Sequence, residues 1–151
     1  FTTIMLVVAS LAQIVAGRAA DRLGRRAPTL FTYSILIVAT IGATFFSDTL
    51  WGIYVFGILG VSAAWALSTL MPTLVADAAP VEEHGRVFGF LHLLWNGGMI
   101  VGSLIGGALV EIAVGLPFAV TTVFNVAALV LAVLFFRLIA RQSKSSGATH
   151  F

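Results

Sequence analysis

The stretch Gly17-Arg-Ala-Ala-Asp-Arg-Leu-Gly-Arg-Arg26 lies between two long apolar segments and decides how the rest of the chain is interpreted. It holds four of the eight basic residues of the chain, together with one acid and two glycines. Unpaired charges are costly inside the hydrocarbon core of a bilayer, so this stretch is expected at a membrane surface. The sequence therefore predicts a loop over residues 18–27 that joins two membrane-spanning helices.

The composition indicates that lipid is the main solvent of this chain. Of its 151 residues, 60% are hydrophobic and only 9% are charged, whereas a soluble domain carries roughly 25% charged residues. The net charge is +2 and no basic face is predicted outside the loops, so a nucleic-acid partner is not expected. The chain has no cysteine, which excludes disulfides and cysteine-based metal sites.

Five apolar segments reach or approach the roughly 20 residues that a spanning helix needs. They are residues 1–17, 28–46, 50–76, 87–110 and 117–140. Their apolar runs are continuous rather than alternating, which predicts helices and not a barrel. We expect an all-α integral membrane bundle over residues 1–140 and a disordered cytoplasmic tail over residues 141–151. The first segment is apolar from its first residue, so we also expect the chain to be a fragment of a longer one.

In this five-span topology every basic residue falls on one side of the membrane. The residues on that side are Arg18, Arg22, Arg25, Arg26, Arg86, Arg137, Arg141 and Lys144. The connections on the other side carry Asp48 and Glu111 but no Lys or Arg. By the positive-inside rule, the loops at residues 18–27 and 79–86 and the C-terminus are predicted to be cytoplasmic, in the cell (inner) membrane.

The charged stretch resembles the loop signature of the major facilitator superfamily (MFS) of transporters, Gly-x-x-x-Asp-Arg-x-Gly-Arg-Arg. From the residues alone, the arginines suit a headgroup anchor, and Asp21 and Arg25 suit an ion pair across a tight turn. The resemblance implies more: Asp21 docks at the N-terminus of a nearby helix, and Arg25 pairs with Asp77 at the end of the third span. These contacts would hold the cytoplasmic side closed. The predicted latch residues are Gly17, Asp21, Arg22, Gly24, Arg25, Arg26 and Asp77.

Polar and aromatic side chains inside the spans are the candidates for the substrate pathway. The candidates are Gln13, Trp65, His92, Trp95 and Asn96. His92 is the only ionisable residue well inside a span, and such residues usually face a protein interior or an aqueous cavity. The alternative is a neutral histidine that is hydrogen-bonded to a neighbouring helix or hydrated at the interface.

The fourth span contains a series of glycines that predicts close helix packing. They are Gly98, Gly102, Gly106 and Gly107, of which the first three share one helical face. The series resembles the Gly-x-x-x-Gly-Pro-x-x-Gly-Gly signature of antiporters in the same family, with Ser103 in place of the proline. The membrane-embedded arginine of proton-coupled members would fall at Phe56, so that residue is absent here.

The resemblance implies half of a 12-helix secondary transporter that moves a small solute or drug by alternating access. Spans 8–12 are favoured, and spans 2–6 stay open. The expected partners are a small-molecule substrate, the lipid bilayer and the missing half of the same chain. A transporter-like sensor or scaffold without solute flux is the alternative. The sequence has no catalytic constellation, metal-ligand spacing or cofactor motif, so we expect no enzyme activity, no metal and no cofactor.

Overall fold

The computed structural model describes residues 2–145, with side chains described for residues 2–141. Over these residues the chain is all-α. The helices are α1 (Thr2–Leu23), α2 (Arg26–Phe46), α3 (Leu50–Ala78), α4 (His84–Ile112) and α5 (Leu116–Ser145), with a 3₁₀ turn at Val81–Glu83 before α4.

Each of the five helices is long and apolar enough to cross a membrane, which confirms the predicted five-span helical bundle. The connections between them are short, so consecutive helices run antiparallel. One end of the bundle therefore contains the C-terminal ends of α1, α3 and α5 and the N-terminal ends of α2 and α4. We call it the basic end because it carries the arginines of the chain.

The predicted loop over residues 18–27 is wrong in extent, because α1 continues to Leu23 and the break is only Gly24–Arg25. Alanine and arginine are strong helix formers, so the charged stretch continues the helix beyond the apolar segment. Tertiary packing reinforces this. Ala16 and Ala20 form a buried cluster with two residues of α3, and this cluster holds the last turns of α1 in place.

The other predicted connection at the basic end, over residues 79–86, is also shorter in the structure. The 3₁₀ turn fills its middle, and α4 already begins at His84. At the far end of the chain, α5 extends to Ser145, into the segment predicted as a disordered tail. The rest of that predicted tail, residues 146–151, lies outside the described residues.

The helices pack unequally. The main contacts join α3 to both α1 and α2, and α2 to α5. Buried residues are numerous in α2 and α3 but absent from the described part of α4. Helix α3 begins at a regular N-cap, since the Thr49 side chain accepts a hydrogen bond from the Gly52 backbone N–H at 3.1 Å. It then runs unbroken through Pro72.

Candidate functional site

An ion pair between Arg25 and Asp77 joins the α1–α2 turn to the end of α3. Arg25 Nη2 donates to Asp77 Oδ1 at 3.2 Å, and Arg25 Nε also contacts Asp77 Oδ2. Asp77 lies in the last turn of α3, where the helix dipole disfavours a negative charge. The guanidinium compensates that charge with a two-point contact. This is the pairing that the sequence resemblance implies, while its role as a latch stays a prediction.

The geometry of the turn brings Arg25 to this position. Gly24 has φ of +75°, in the left-handed region, and is the only residue with positive φ in the described part of the chain. Residues with a Cβ rarely adopt this conformation, because the Cβ approaches the neighbouring carbonyl too closely. The backbone conformation of the turn therefore requires a glycine before the two arginines of the motif. Arg25 itself occupies the N-cap position of α2.

The other latch residues make no comparable contacts. Asp21, Arg22 and Arg26 are exposed and form no ion pair within residues 2–141. The alternative pairing of Asp21 with Arg25 across the turn is not formed, because Asp77 engages Arg25 instead. A Cβ added at Gly17 would meet no atom within 4 Å. The roles predicted for Gly17 and Asp21 therefore stay predictions.

His84 is part of this end of the bundle and was not singled out from the sequence. Its Nε2 lies 3.1 Å from the Ala76 carbonyl oxygen and 2.9 Å from that of Ala79. Both partners are acceptors, so Nε2 carries the hydrogen and donates it. The ring therefore caps the C-terminus of α3 on either side of Asp77. A histidine side chain near a helix C-terminus can hydrogen-bond the last carbonyl groups.

Within the bundle, Gln13 joins α1 to α3. Its amide Nε2 donates to the Trp65 carbonyl oxygen at 3.2 Å and lies 3.3 Å from Ser68 Oγ. The structure thus brings together two of the predicted pathway residues, Gln13 and Trp65. Trp65 keeps 42% of its surface exposed, so its ring is available to a further partner. Ser68 follows Trp65 by three residues and shares its helical face, but it is not among the predicted pathway residues.

The three predicted pathway residues of α4 form a separate group. His92, Trp95 and Asn96 are all exposed, and within the described residues they make no hydrogen bond to Gln13 or Trp65. The Asn96 amide donates to the His92 carbonyl oxygen at 2.8 Å, a contact within the helix. Their participation in a substrate pathway stays a prediction.

The glycine series of α4 faces open space. Gly98, Gly102 and Gly106 line a groove of about 380 Å³ between α4 and α5. An added Cβ at any of these positions, or at Gly107, would meet nothing within 4 Å. Close helix packing at these glycines is therefore not present within the described chain, and it stays a prediction.

One close contact between helices involves a glycine that was not predicted. A Cβ on Gly42 of α2 would overlap the Phe56 ring of α3. That ring also stacks on Phe46, with the ring centroids 5.8 Å apart. The position where the resemblance would place an embedded arginine thus holds an aromatic packing residue between α2 and α3.

Comparison with known proteins gives a consistent result. The family model of the Major Facilitator Superfamily matches residues 1–150. The class H tetracycline resistance protein of Pasteurella multocida is 30% identical over 129 residues, covering 82% of this chain and 30% of the relative. The class B tetracycline resistance protein of Escherichia coli is 28% identical over 148 residues, covering 89% and 34%.

A further relative is the major myo-inositol transporter IolT of Bacillus subtilis (strain 168). It is 35% identical over 86 residues, which cover 57% of this chain and 18% of the relative. No solved structure gives a significant match. The chain spans about a third of the length of the two resistance proteins. The family match over nearly the whole chain, together with five apolar helices, shows that this is an integral membrane protein of the major facilitator superfamily.

Proposed function

We propose that this chain forms half of a secondary transporter that moves a small solute across the cell membrane by alternating access. The basic end faces the cytoplasm, and the five helices correspond to spans 8–12. Membership of the superfamily and the names of the relatives support a transport role. The positive-inside rule supports the orientation.

The Arg25–Asp77 ion pair carries this proposal. It ties two connections at the basic end, where a transporter that alternates must close and open. Its side chains are 32% and 54% exposed, and exposed pairs typically contribute only about 0.2–1 kcal/mol. A free energy of about 1.4 kcal/mol corresponds to a factor of ten in an equilibrium constant. At the upper limit of about 1 kcal/mol, the ion pair therefore raises the ratio of closed to open forms by about fivefold. A weak pair is suited to a step that has to reverse in every transport cycle.

The proposed substrate pathway consists of Gln13 and Trp65 from one side and His92, Trp95 and Asn96 from α4. These groups are amides, indoles and an imidazole, so they would recognise a solute by hydrogen bonds and aromatic contact. No Asp or Glu lies in the middle of any described helix. Tetracycline and myo-inositol, which appear in the names of the relatives, are the first solutes to test.

The test uses the full-length protein that carries this chain, reconstituted in vesicles and assayed with these two solutes. Asp77→Asn and Arg25→Gln each remove one side of the ion pair, and we expect transport to fall by several-fold in both. The exchange variant with Arg25→Asp and Asp77→Arg should recover much of the loss. Glu83→Gln is the matched control, because it removes an exposed pair at the same end, Glu83–Arg86 at 3.1 Å.

Conformation can be read in the same variants. The chain has no cysteine, so a thiol introduced at Gln13 is the only one in this segment, and its labelling rate from the cytoplasmic side reports opening. Faster labelling in Asp77→Asn together with altered flux supports the proposal. Unchanged labelling and flux in Asp77→Asn would contradict the latch. Altered labelling with no flux of any tested solute would favour the sensor or scaffold alternative.

A further inference from the structure

An open apolar groove runs along the outside of the bundle between α1, α2 and α3. Its volume is about 680 Å³. Helix α1 contributes one face, with Val8, Val15, Ala19 and Leu23 at helical spacing. The large aliphatic and aromatic side chains on its α2 side include Phe31, which is 67% exposed. The groove is distinct from the Gln13–Trp65 contact and from the α4 residues of the proposed pathway.

The groove is longer than one leaflet of a bilayer is thick. From residue 8 to residue 23 of α1 is fifteen residues, or about 22 Å at roughly 1.5 Å per residue. Half of the hydrocarbon core is about 15 Å thick. A groove of this length therefore reaches from the membrane surface at the basic end through a whole leaflet, which is the path of a single acyl chain.

Two arginines are next in sequence to the residues that line the groove at the basic end. Leu23 and Ala27 line this end, and each directly follows an arginine, Arg22 and Arg26 respectively. Arg22 lies three residues after Ala19 and seven after Val15, so helical periodicity puts it on the groove face of α1. Both arginines are exposed and have no ion-pair partner among the described residues. Asp21 is the acid nearest in sequence, and the two arginines outweigh its single negative charge.

We propose that this groove binds one anionic phospholipid, with an acyl chain along α1 and the phosphate at Arg22 and Arg26. A guanidinium can bind phosphate through two parallel hydrogen bonds, which makes a pair of free arginines a suitable headgroup site. Charge complementarity favours a negatively charged lipid. A zwitterionic headgroup carries its own cation, which the arginines would repel. The lipid seals the α1–α2 face beside the turn that carries Arg25.

The test is native mass spectrometry of the full-length, delipidated protein, titrated with phosphatidylglycerol or with phosphatidylcholine of the same acyl chains. We expect one phosphatidylglycerol to bind at least tenfold more tightly than phosphatidylcholine. The double variant Arg22→Gln, Arg26→Gln should abolish this preference. Val15→Trp fills the groove at a position that is 65% exposed and should weaken binding of both lipids. Val123→Trp on α5, 69% exposed and outside the groove, is the matched control.

The lipid titrations and the variants distinguish the proposed lipid site from its alternatives. Equal affinity for the two lipids in the unaltered protein overturns the proposal, and so does phosphatidylglycerol binding that Val15→Trp leaves unchanged. A lower melting temperature of Val15→Trp with unchanged lipid binding would show that another part of the chain or a second copy covers the groove. The lipid titration needs no transport, and Asp77→Asn should leave it unaltered, so its outcome is independent of the proposed transport cycle.

Discussion

Gly24 shows how one residue positions the charged turn. Its positive φ allows α1 to end and α2 to begin within two residues, and it places Arg25 where it meets Asp77. Gly17, the other glycine of the same motif, lies within α1 and has free space around it in the described chain. The backbone conformation therefore requires glycine at position 24 but not at position 17, although the sequence motif contains both.

At this scale, Gly24→Ala is expected to destabilise the protein by about 1–2 kcal/mol, the cost of a left-handed conformation for a residue with a Cβ. Gly17→Ala is the matched control and should stabilise α1 by about 0.5–1 kcal/mol, because alanine loses less backbone entropy in a helix. Thermal unfolding of both variants in detergent checks the difference. A loss in Gly17→Ala as large as that in Gly24→Ala would contradict this account.

At the scale of elements, α2 and α3 pack closely at a glycine. The contact combines the small residue Gly42 with the ring of Phe56, which the glycine admits against the α2 backbone. Helices in membranes associate through such close van der Waals contacts, since lipid tails offer no hydrophobic driving force. A second link joins α2 to α5, where the hydroxyl oxygens of Thr40 and Thr122 are 2.9 Å apart.

For this contact, Gly42→Ala is expected to destabilise the bundle by about 1–3 kcal/mol through overpacking against Phe56. Adding Phe56→Leu should recover part of the loss, because the smaller side chain leaves room for the new methyl group. Gly85→Ala, at the open start of α4, is the control and should cost nothing. The readout is again thermal unfolding. If Gly42→Ala and Gly85→Ala melt alike, the proposed packing role of Gly42 is wrong.

At the scale of the whole molecule, α4 packs least against the other helices. It has no buried residue within the described chain, yet it carries a face of glycines, exposed aromatic side chains and His92. A helix of this kind in a membrane usually packs against further helices through its small residues. The chain spans about a third of the length of the resistance proteins, and under the proposed half-transporter the partners of α4 are helices of the other half.

In the full-length protein, Gly102→Leu is therefore expected to lower stability by about 1–3 kcal/mol, as overpacking does in a filled core. Gly102→Ala should have a smaller effect of the same sign. Melting temperatures of the purified variants in one detergent test this size dependence. Equal stability of the glycine, alanine and leucine forms would mean that the glycine face stays open in the complete protein.

Local patterns by themselves determined much of this protein. Five apolar runs predicted five helices, because helix formation in a bilayer depends mainly on length and hydrophobicity. The charge distribution predicted which ends of the helices lie together. The motif predicted that Arg25 and Asp77 pair. The helices and the charge distribution are carried by residues close in sequence, whereas the pairing of Arg25 with Asp77, 52 positions apart, was implied by the family resemblance.

The tertiary structure alone decided the rest. Packing against α3 reinforced the extension of α1 through most of the charged stretch, which its alanines and arginines already favour. The Gln13 contact with α3 links residues more than 50 positions apart, and the fit of Gly42 against Phe56 likewise joins two different helices. The groove between α1, α2 and α3 exists only because three helices diverge there. The Gln13 contact, the fit of Gly42 against Phe56 and the groove have no local signal, because each depends on the distance between side chains on separate helices.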